Sequence, residues 1–234
     1  MPVPIDPILE RLETREDPTV ERVDVGPRLK SRVAVLPASF NPPTLAHVEL
    51  LERAKDVPGI ATSAALLTTR NVDKGLFGAS HGHRVGMLLG LELPATGVLV
   101  SNAARIAEQA AALRDMFPGQ DFDFVVGYDT LVRLFDRRYY NGEMHEVLAT
   151  YFRHHRVIAA TRGEFDVPAI ERYVESTADA RNYGDRIVPL NLESELMHVS
   201  STAVRERIGE GVSVDVPPRV HQYIREHKLY EPAP

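Results

Sequence analysis

Short apolar runs alternate along this chain with longer stretches whose apolar positions recur every three or four residues. The runs "RVAVLPA" (32–38), "ATSAALLTT" (61–69), "GVLVS" (97–101), "FDFVVG" (122–127), "RVIAAT" (156–161) and "RIVPLN" (186–191) read as six strands. Between and after them, helical spacing covers Thr44 to Lys55, with Leu45, Val48 and Leu51 on one face, and His83 to Leu93. It also covers Asn102 to Phe117, with Ile106, Ala110 and Leu113 stacked, then Ser201 to Ile208 and Pro218 to His227. Strands that are apolar throughout, separated by helices, predict an α/β domain whose parallel sheet carries helices on both faces. Residues 1–30 are rich in proline and charge, with one short helix around Ile8 to Leu12, and read as an N-terminal extension packed on a main domain of residues 31–234.

In such sheets ligands bind outside the carboxyl ends of the strands. Three polar segments leave strands at that edge: "PASFNPPT" after the first, "GYDT" after the fourth and "TRG" after the fifth.

Composition narrows the chemistry. No stretch of the 234 residues approaches the run of about 18 apolar residues that a membrane span needs, and the opening "MPVPIDPILERLETRED" lacks the pattern of a signal peptide. The chain contains no cysteine, which removes disulfides, thiolate catalysis and cysteine zinc sites. A cytoplasmic protein is the expectation. The formal charge of -6 argues against a general nucleic-acid binder, so an anionic ligand must rely on a few local cations and on main-chain dipoles.

Two helix starts carry such groups. In "PASFNPPTLAHVEL" the helix beginning near Thr44 turns its N–H groups towards the sheet edge, where a phosphate is favoured. Thr44 and His47 are three apart and share its first turn. A proline turn with a threonine cap and an incidental histidine explains the same residues. In "VSSTAVRERI" the hydroxyls of Ser200, Ser201 and Thr202 stand at a helix start, with Arg205 on the same face. That set suits bidentate capture of a phosphate, or is an ordinary capped helix with a solvated arginine. Two such starts in one α/β domain suggest a polyphosphate ligand. The Walker pattern GxxxxGK is missing, and no GxGxxG run follows a strand. The "HGH" at His81–His83 has no third ligand at chelating spacing, so no metal site is expected. His154 and His155, just before a strand, read as solvated.

"SFNPPTLAH" and "SSTAVR" resemble the first and second signatures of the nucleotidyltransferases related to class I aminoacyl-tRNA synthetases, in the branch of nicotinamide and nicotinate mononucleotide adenylyltransferases. "DKGLFGASHGHRVGM", "VVGYDTLVRL", "VIAATRG" and "VPPRVHQYIREHKLY" resemble intervening and closing stretches, in order, over roughly residues 33 to 230. The wording "VVGYDTLVRLFDRRYY" is most similar to a divergent fungal and bacterial branch. Two features depart from the pattern. Ala38 stands where the family has glycine, and the chain has no tryptophan to stack on a pyridine ring.

The resemblance implies a Rossmann-like single domain, with residues 31–234 as the nucleotidyltransferase unit. It implies adenylyl transfer from ATP to nicotinamide or nicotinate mononucleotide, giving NAD or its deamido form and pyrophosphate. Transfer to another phosphorylated acceptor, or nucleotide binding or ATP hydrolysis with little transfer, remain as alternatives. Ser39 and Lys74 would hold the acceptor's phosphate, and His47 with Thr44 beside it would meet the triphosphate. Gly127 and Asp129 would approach the nucleotide sugar. Ser200, Ser201 and Arg205 would clamp pyrophosphate, and Phe40, Arg162 and Thr202 complete the nucleotide-binding set. Asp129 suits equally a cap for a helix beginning at Thr130. Mg²⁺ is expected only through the triphosphate. The expected partners are ATP and a phosphorylated small-molecule acceptor, without nucleic acid or membrane, with homo-oligomer formation left open.

Overall fold

The six expected strands all form. A computed structural model describes residues 4–26, 28–70, 78–209 and 215–231. Among these residues the strands are β1 (Val20–Arg22), β2 (Arg32–Ala38), β3 (Thr62–Thr68), β4 (Thr96–Ser101), β5 (Asp121–Gly127), β6 (Val157–Ala160) and β7 (Ile187–Leu190). The helices are α1 (Ile5–Thr14), α2 (Leu45–Arg53), α3 (His81–Gly90), α4 (Ile106–Met116), α5 (Tyr128–Leu134), α6 (Met144–Phe152), α7 (Val167–Ser176), α8 (Ala178–Arg181), α9 (Ser201–Gly209) and α10 (Pro218–Glu226). One sheet of order β1-β4-β3-β2-β5-β6-β7 joins all seven strands, parallel except for β1.

Strand periodicity sorts the core into two layers, because successive side chains point to opposite faces. Val33 and Val35 face a layer with Leu113, Leu131, Leu148 and Ile170 from α4 to α7. Ala34 and Leu36 face the other, with Leu12, Leu51 and Leu88 from α1, α2 and α3. A smaller cluster, including Met87, Val204, Val220 and Ile224, docks α9 and α10 onto the outside of α3. Among the described residues no helix is long and apolar enough to cross a membrane.

The sheet opens at one place. β2 pairs with β3 as far as Ala38↔Leu67, and β5 pairs with β6 as far as Gly127↔Ala160. Yet β2 and β5 pair with each other only from Arg32↔Asp121 to Val35↔Phe124. Their carboxyl-terminal halves, Leu36–Ala38 and Val125–Gly127, therefore lie beyond the shared ladder. Pro37, which has no N–H to give, stands past the end of that ladder, where its missing donor is tolerated. The chain reverses direction here, building outward from β2 on one side and from β5 on the other, which is a topological switch point.

Several boundaries moved for identifiable reasons. The third helix starts at Ile106 and not at Asn102, because the Asn102 side chain is drawn into the N-terminal segment. Its Nδ2 donates to the carbonyls of Arg15 and Asp17, and its Oδ1 accepts from the Thr19 N–H. That tether lets β1 add antiparallel to β4. The second helix begins at His81, two residues early, where Ser80 accepts from the His83 N–H. The helix expected from Thr130 begins two residues earlier as α5, whereas helices α6 to α8 and β1 were not expected. His155 is not solvated: it is buried, and its Nδ1 donates to the Phe122 carbonyl at 2.8 Å.

At the amino-terminal edge of β5 the Asp123 carboxylate is 0% exposed. Oδ1 accepts from Arg32 Nη1 and the Arg156 N–H, and Oδ2 accepts from Arg156 Nε and Nη2, all within 2.7–2.9 Å. It joins the starts of β2, β5 and β6. Removing one partner of such a buried network leaves the others uncompensated, so Asp123→Ala is expected to cost roughly 3–5 kcal/mol, measured by urea unfolding. A loss below about 1 kcal/mol, the value of an exposed pair, would show that solvent already screens these charges.

Candidate active site

The split between β2 and β5 is the floor of a cleft of about 340 Å³, lined by Leu36, Pro37, Ala38, Val125, Val126 and Gly127. Its walls bring together the first turn of α2, the start of α3, the loop after β6 and the start of α9. Among the described lining residues, Arg84, Arg162, Arg205, His47 and His81 are basic, and none is Asp or Glu. A chain of net charge -6 thus presents a cation-lined cleft at the carboxyl edge of its sheet. Of the residues expected from sequence, Ser39, Thr44, His47, Gly127, Arg162, Ser200, Ser201, Thr202 and Arg205 all line it.

The loop from β2 to α2 fixes His47. Thr44 caps α2, and the two residues bond reciprocally. The His47 N–H donates to Thr44 Oγ1 at 3.4 Å, while the Thr44 N–H donates to His47 Nδ1 at 3.0 Å. Because Nδ1 accepts, the neutral ring carries its proton on Nε2, which leaves Nε2–H as the ring's remaining donor. Burial, helped by the Arg162 charge, pushes the His47 pKa down to about 4. Phe40 is 0% exposed, and its ring packs at 5.0 Å against His47. Its side chain therefore supports the imidazole, so any ligand contact from Phe40 comes from its main chain. Phe40 has φ 44, a left-handed conformation that a bulky residue adopts only when its surroundings hold it there. The Asn41–Pro42 peptide is cis.

The helix-start reading needs correction in detail. The Leu45 N–H of α2 donates to the Asp215 carbonyl, and the Thr44 N–H is spent on His47. In α9, Ser200 Oγ accepts from the Ala203 N–H as a cap. Ser201 Oγ donates to the Pro42 carbonyl at 2.9 Å. Arg205 Nη1 donates to the carbonyls of Asn41 at 2.6 Å and Ser201 at 3.2 Å, and Nη2 to Thr202 Oγ1 at 3.2 Å. The second motif is thus bolted onto the first, and the Arg205 guanidinium is oriented by backbone at the cleft wall.

Arg162 is positioned by a tight turn in which it and Phe165 exchange main-chain bonds, with Gly163 at φ 57. It reaches over Gly127 and lies 3.6 Å from Asp129, which is outside the cleft lining and 59% exposed on its side chain. The helix here begins at Tyr128, with Gly127 in the cap position, so Asp129 sits in the first turn and does not cap. Lys74 lies outside the described residues.

Two lining residues were overlooked. Arg84 is only 4% exposed, and donates from Nε to the Ala79 carbonyl at 2.8 Å and from Nη1 to that of Ser39 at 3.3 Å. Burial, together with the neighbouring Arg205, lowers its pKa. His81 is buried at the same wall, its pKa lowered by burial and by Arg84. Both stand in the first turn of a helix leaving the sheet's carboxyl edge, which was the available signal.

No family model matches the chain. It is 27% identical over 160 residues to a Schizosaccharomyces pombe protein to which nicotinamide mononucleotide adenylyltransferase activity is ascribed, an alignment covering 66% of this chain and 57% of that one. The chain thus spans little more than half of that relative. It is 28% identical over 210 residues to a Listeria monocytogenes protein ascribed as a nicotinate-nucleotide adenylyltransferase, covering 86% of this chain and 98% of the relative. In fold it is similar to the Plasmodium falciparum nicotinic acid mononucleotide adenylyltransferase complexed with NaAD, with a TM-score of 0.63, 17% identity, and coverage of 86% and 98% of the two chains.

The folded-state pKa of His47 lies below the unfolded value of about 6.5, so the unfolded chain takes up the proton first. Stability associated with the neutral ring is therefore complete above about pH 6.5 and lost as pH falls towards about 4; His155, held at about 4 by burial, adds in the same window. Imidazole NMR should show His47 as the neutral Nε2–H form down to about pH 5, with Arg162→Ala raising its midpoint. A His47 midpoint near that of an exposed histidine would refute the desolvated site.

Proposed function

We propose that the chain belongs to the nicotinamide and nicotinate mononucleotide adenylyltransferase family, as its similarity to the Schizosaccharomyces pombe and Listeria proteins supports, and that it transfers the adenylyl group of ATP to a pyridine mononucleotide. The observation that carries this reading is the cation-lined cleft at the switch point, with both signature motifs fastened to each other across it. In the proposed reaction an oxygen of the acceptor's phosphate attacks the α-phosphorus in line. The new O–P bond forms as the α–β bridging bond breaks, and its electron pair leaves with pyrophosphate. A phosphate monoester is already anionic, so no general base is needed; positioning and charge neutralisation supply the acceleration.

His47, through Nε2–H, would donate to the triphosphate and strengthen that bond as charge builds. Arg205, with Ser200, Ser201 and Thr202 around it, would take the leaving pyrophosphate. Ser39 and Lys74 would hold the acceptor's phosphate, and Gly127 and Asp129 the nucleotide sugar beside Arg162. Among the described residues no group of three or more His, Cys, Asp or Glu could hold a metal, and the cleft lining has no carboxylate. Such a donor set fits a Mg²⁺ ion that arrives ligated by triphosphate oxygens and its own waters. When bound, the ion would offset charge on the phosphates.

The acceptor's ring is proposed to sit in a second hollow of about 680 Å³, which shares Thr130 with the cleft and is lined by Tyr139 and Tyr140. Tyr140 is engaged, its hydroxyl donating to the Leu134 carbonyl at 2.6 Å. Tyr139, partly buried in the hollow's wall, is the ring proposed to do the stacking that tryptophan would supply.

The decisive assay is release of pyrophosphate from ATP with Mg²⁺ and either nicotinamide or nicotinate mononucleotide. Absence of release with both, at millimolar concentration, would sink the reading. In the active enzyme His47→Ala should lower kcat by about 10²–10³ and change ATP affinity much less. Tyr139→Ala should raise the acceptor's KM by about threefold to thirtyfold with the KM for ATP unchanged. An unchanged acceptor KM would move the ring elsewhere.

A further inference from the structure

The last described residues of the chain reach the centre of the site. After α10 the Leu229 N–H donates back to the Ile224 carbonyl, and Lys228 and Tyr230 take left-handed backbone with φ 51 and φ 64. Neither is a glycine, so both conformations are held there by the contacts they allow. The reversal carries the Tyr230 hydroxyl to Asn41, where it donates to Oδ1 at 2.9 Å. The same oxygen accepts the Ala79 N–H at 3.2 Å.

Asn41 is 2% exposed and has only two side-chain torsions. Two donors from separate segments, one before α3 and one after α10, therefore fix its main chain as well as its amide. Its carbonyl in turn accepts from Arg205 Nη1 at 2.6 Å. Ala79, on the other side of the bridge, gives its carbonyl to Arg84 Nε. Close packing leaves no slack: a side chain at position 78 would meet the Asn41 amide at 2.7 Å, and Gly78 has φ 77. Burial raises the Tyr230 phenol well above its usual range, so it stays a donor at any working pH.

We propose that Tyr230 is a positioning residue for the anion site, clamping Asn41 so that its carbonyl holds the Arg205 guanidinium at the cleft. It touches no substrate and acts through Asn41. The proposal rests on the transfer reading for the identity of the anion as pyrophosphate.

The test uses the full chain and inorganic pyrophosphate as the probe, with affinity read by titration calorimetry, which needs no acceptor and no turnover. Tyr230→Phe removes only the hydroxyl and should weaken pyrophosphate about fivefold, the value of one hydrogen bond, with its thermal melt close to wild type. Leu229→Ala removes packing from the same tail, where Leu229 lies against the cluster containing Val220 and Ile224. It should lower the melting temperature and leave pyrophosphate affinity within about twofold. Arg205→Lys gives up the oriented guanidinium, so the double variant Y230F/R205K should bind no more weakly than R205K alone.

Three results would overturn the proposal: unchanged affinity in Y230F, an equal loss in L229A, or losses in Y230F and R205K that multiply. Wild-type protein that does not bind pyrophosphate would overturn it too. A chain that shows the expected cycle but releases no pyrophosphate from ATP and a mononucleotide would refute the transfer reading alone, and leave the clamp standing.

Discussion

The end of the β2–β5 ladder at Val35 and Phe124 is the constraint on which the site depends. Two parallel neighbours whose following helices cover opposite faces cannot stay paired to their tips. Leu51 of α2 packs in one core layer, and Leu131 of α5 in the other. The strands part where those connections leave, and the parted tips expose main chain at the carboxyl edge. Every element of the cleft is placed relative to that gap: the β2–α2 loop on one lip, Gly127 on the other, and Arg162 arching over it.

Charge is distributed along the strands with the same logic. At the amino-terminal edge, Arg32 and Arg156 are balanced by two carboxylates, the buried Asp123 and the more exposed Asp121, which stabilises the sheet and leaves little net field. At the carboxyl edge, Arg84 and Arg205 are oriented by the carbonyls of Ser39, Ala79, Asn41 and Ser201. A carbonyl dipole fixes a guanidinium without itself cancelling its charge, and the described lining, with three arginines and no carboxylate, favours a positive potential. In a partly desolvated cleft that potential is worth more than at an open surface. Burial, helped by the Arg162 charge, keeps the His47 ring neutral.

Much of this was legible in the order of residues. Apolar runs without alternation gave the central strands, and a parallel sheet then pointed to the loops "PASFNPPT", "GYDT" and "TRG", residues of which line the cleft. Thr44 and His47 were readable as partners because three-residue spacing on a first helical turn is a local fact. Ser200 was readable as a cap for the same reason. The places where that reading failed are those where a distant partner outbid the local one. Asn102 left its helix to tie down Arg15 and Asp17, and His155 was buried against the Phe122 carbonyl.

What the sequence alone determined, then, was the class of fold, the edge of the sheet at which the cleft opens, and most of the side chains that line it. These follow from periodicity, capping and strand polarity, which act over a few residues. Only the tertiary structure decided which donors remain for a ligand. The N–H of Leu45 is taken by Asp215, and the hydroxyl of Ser201 by Pro42. It alone decided that Arg84 belongs to the site and that Tyr230 is bonded to Asn41, 189 positions away in the chain. Those pairings form because buried polar groups must find partners wherever packing puts them, and sequence separation carries no record of that packing.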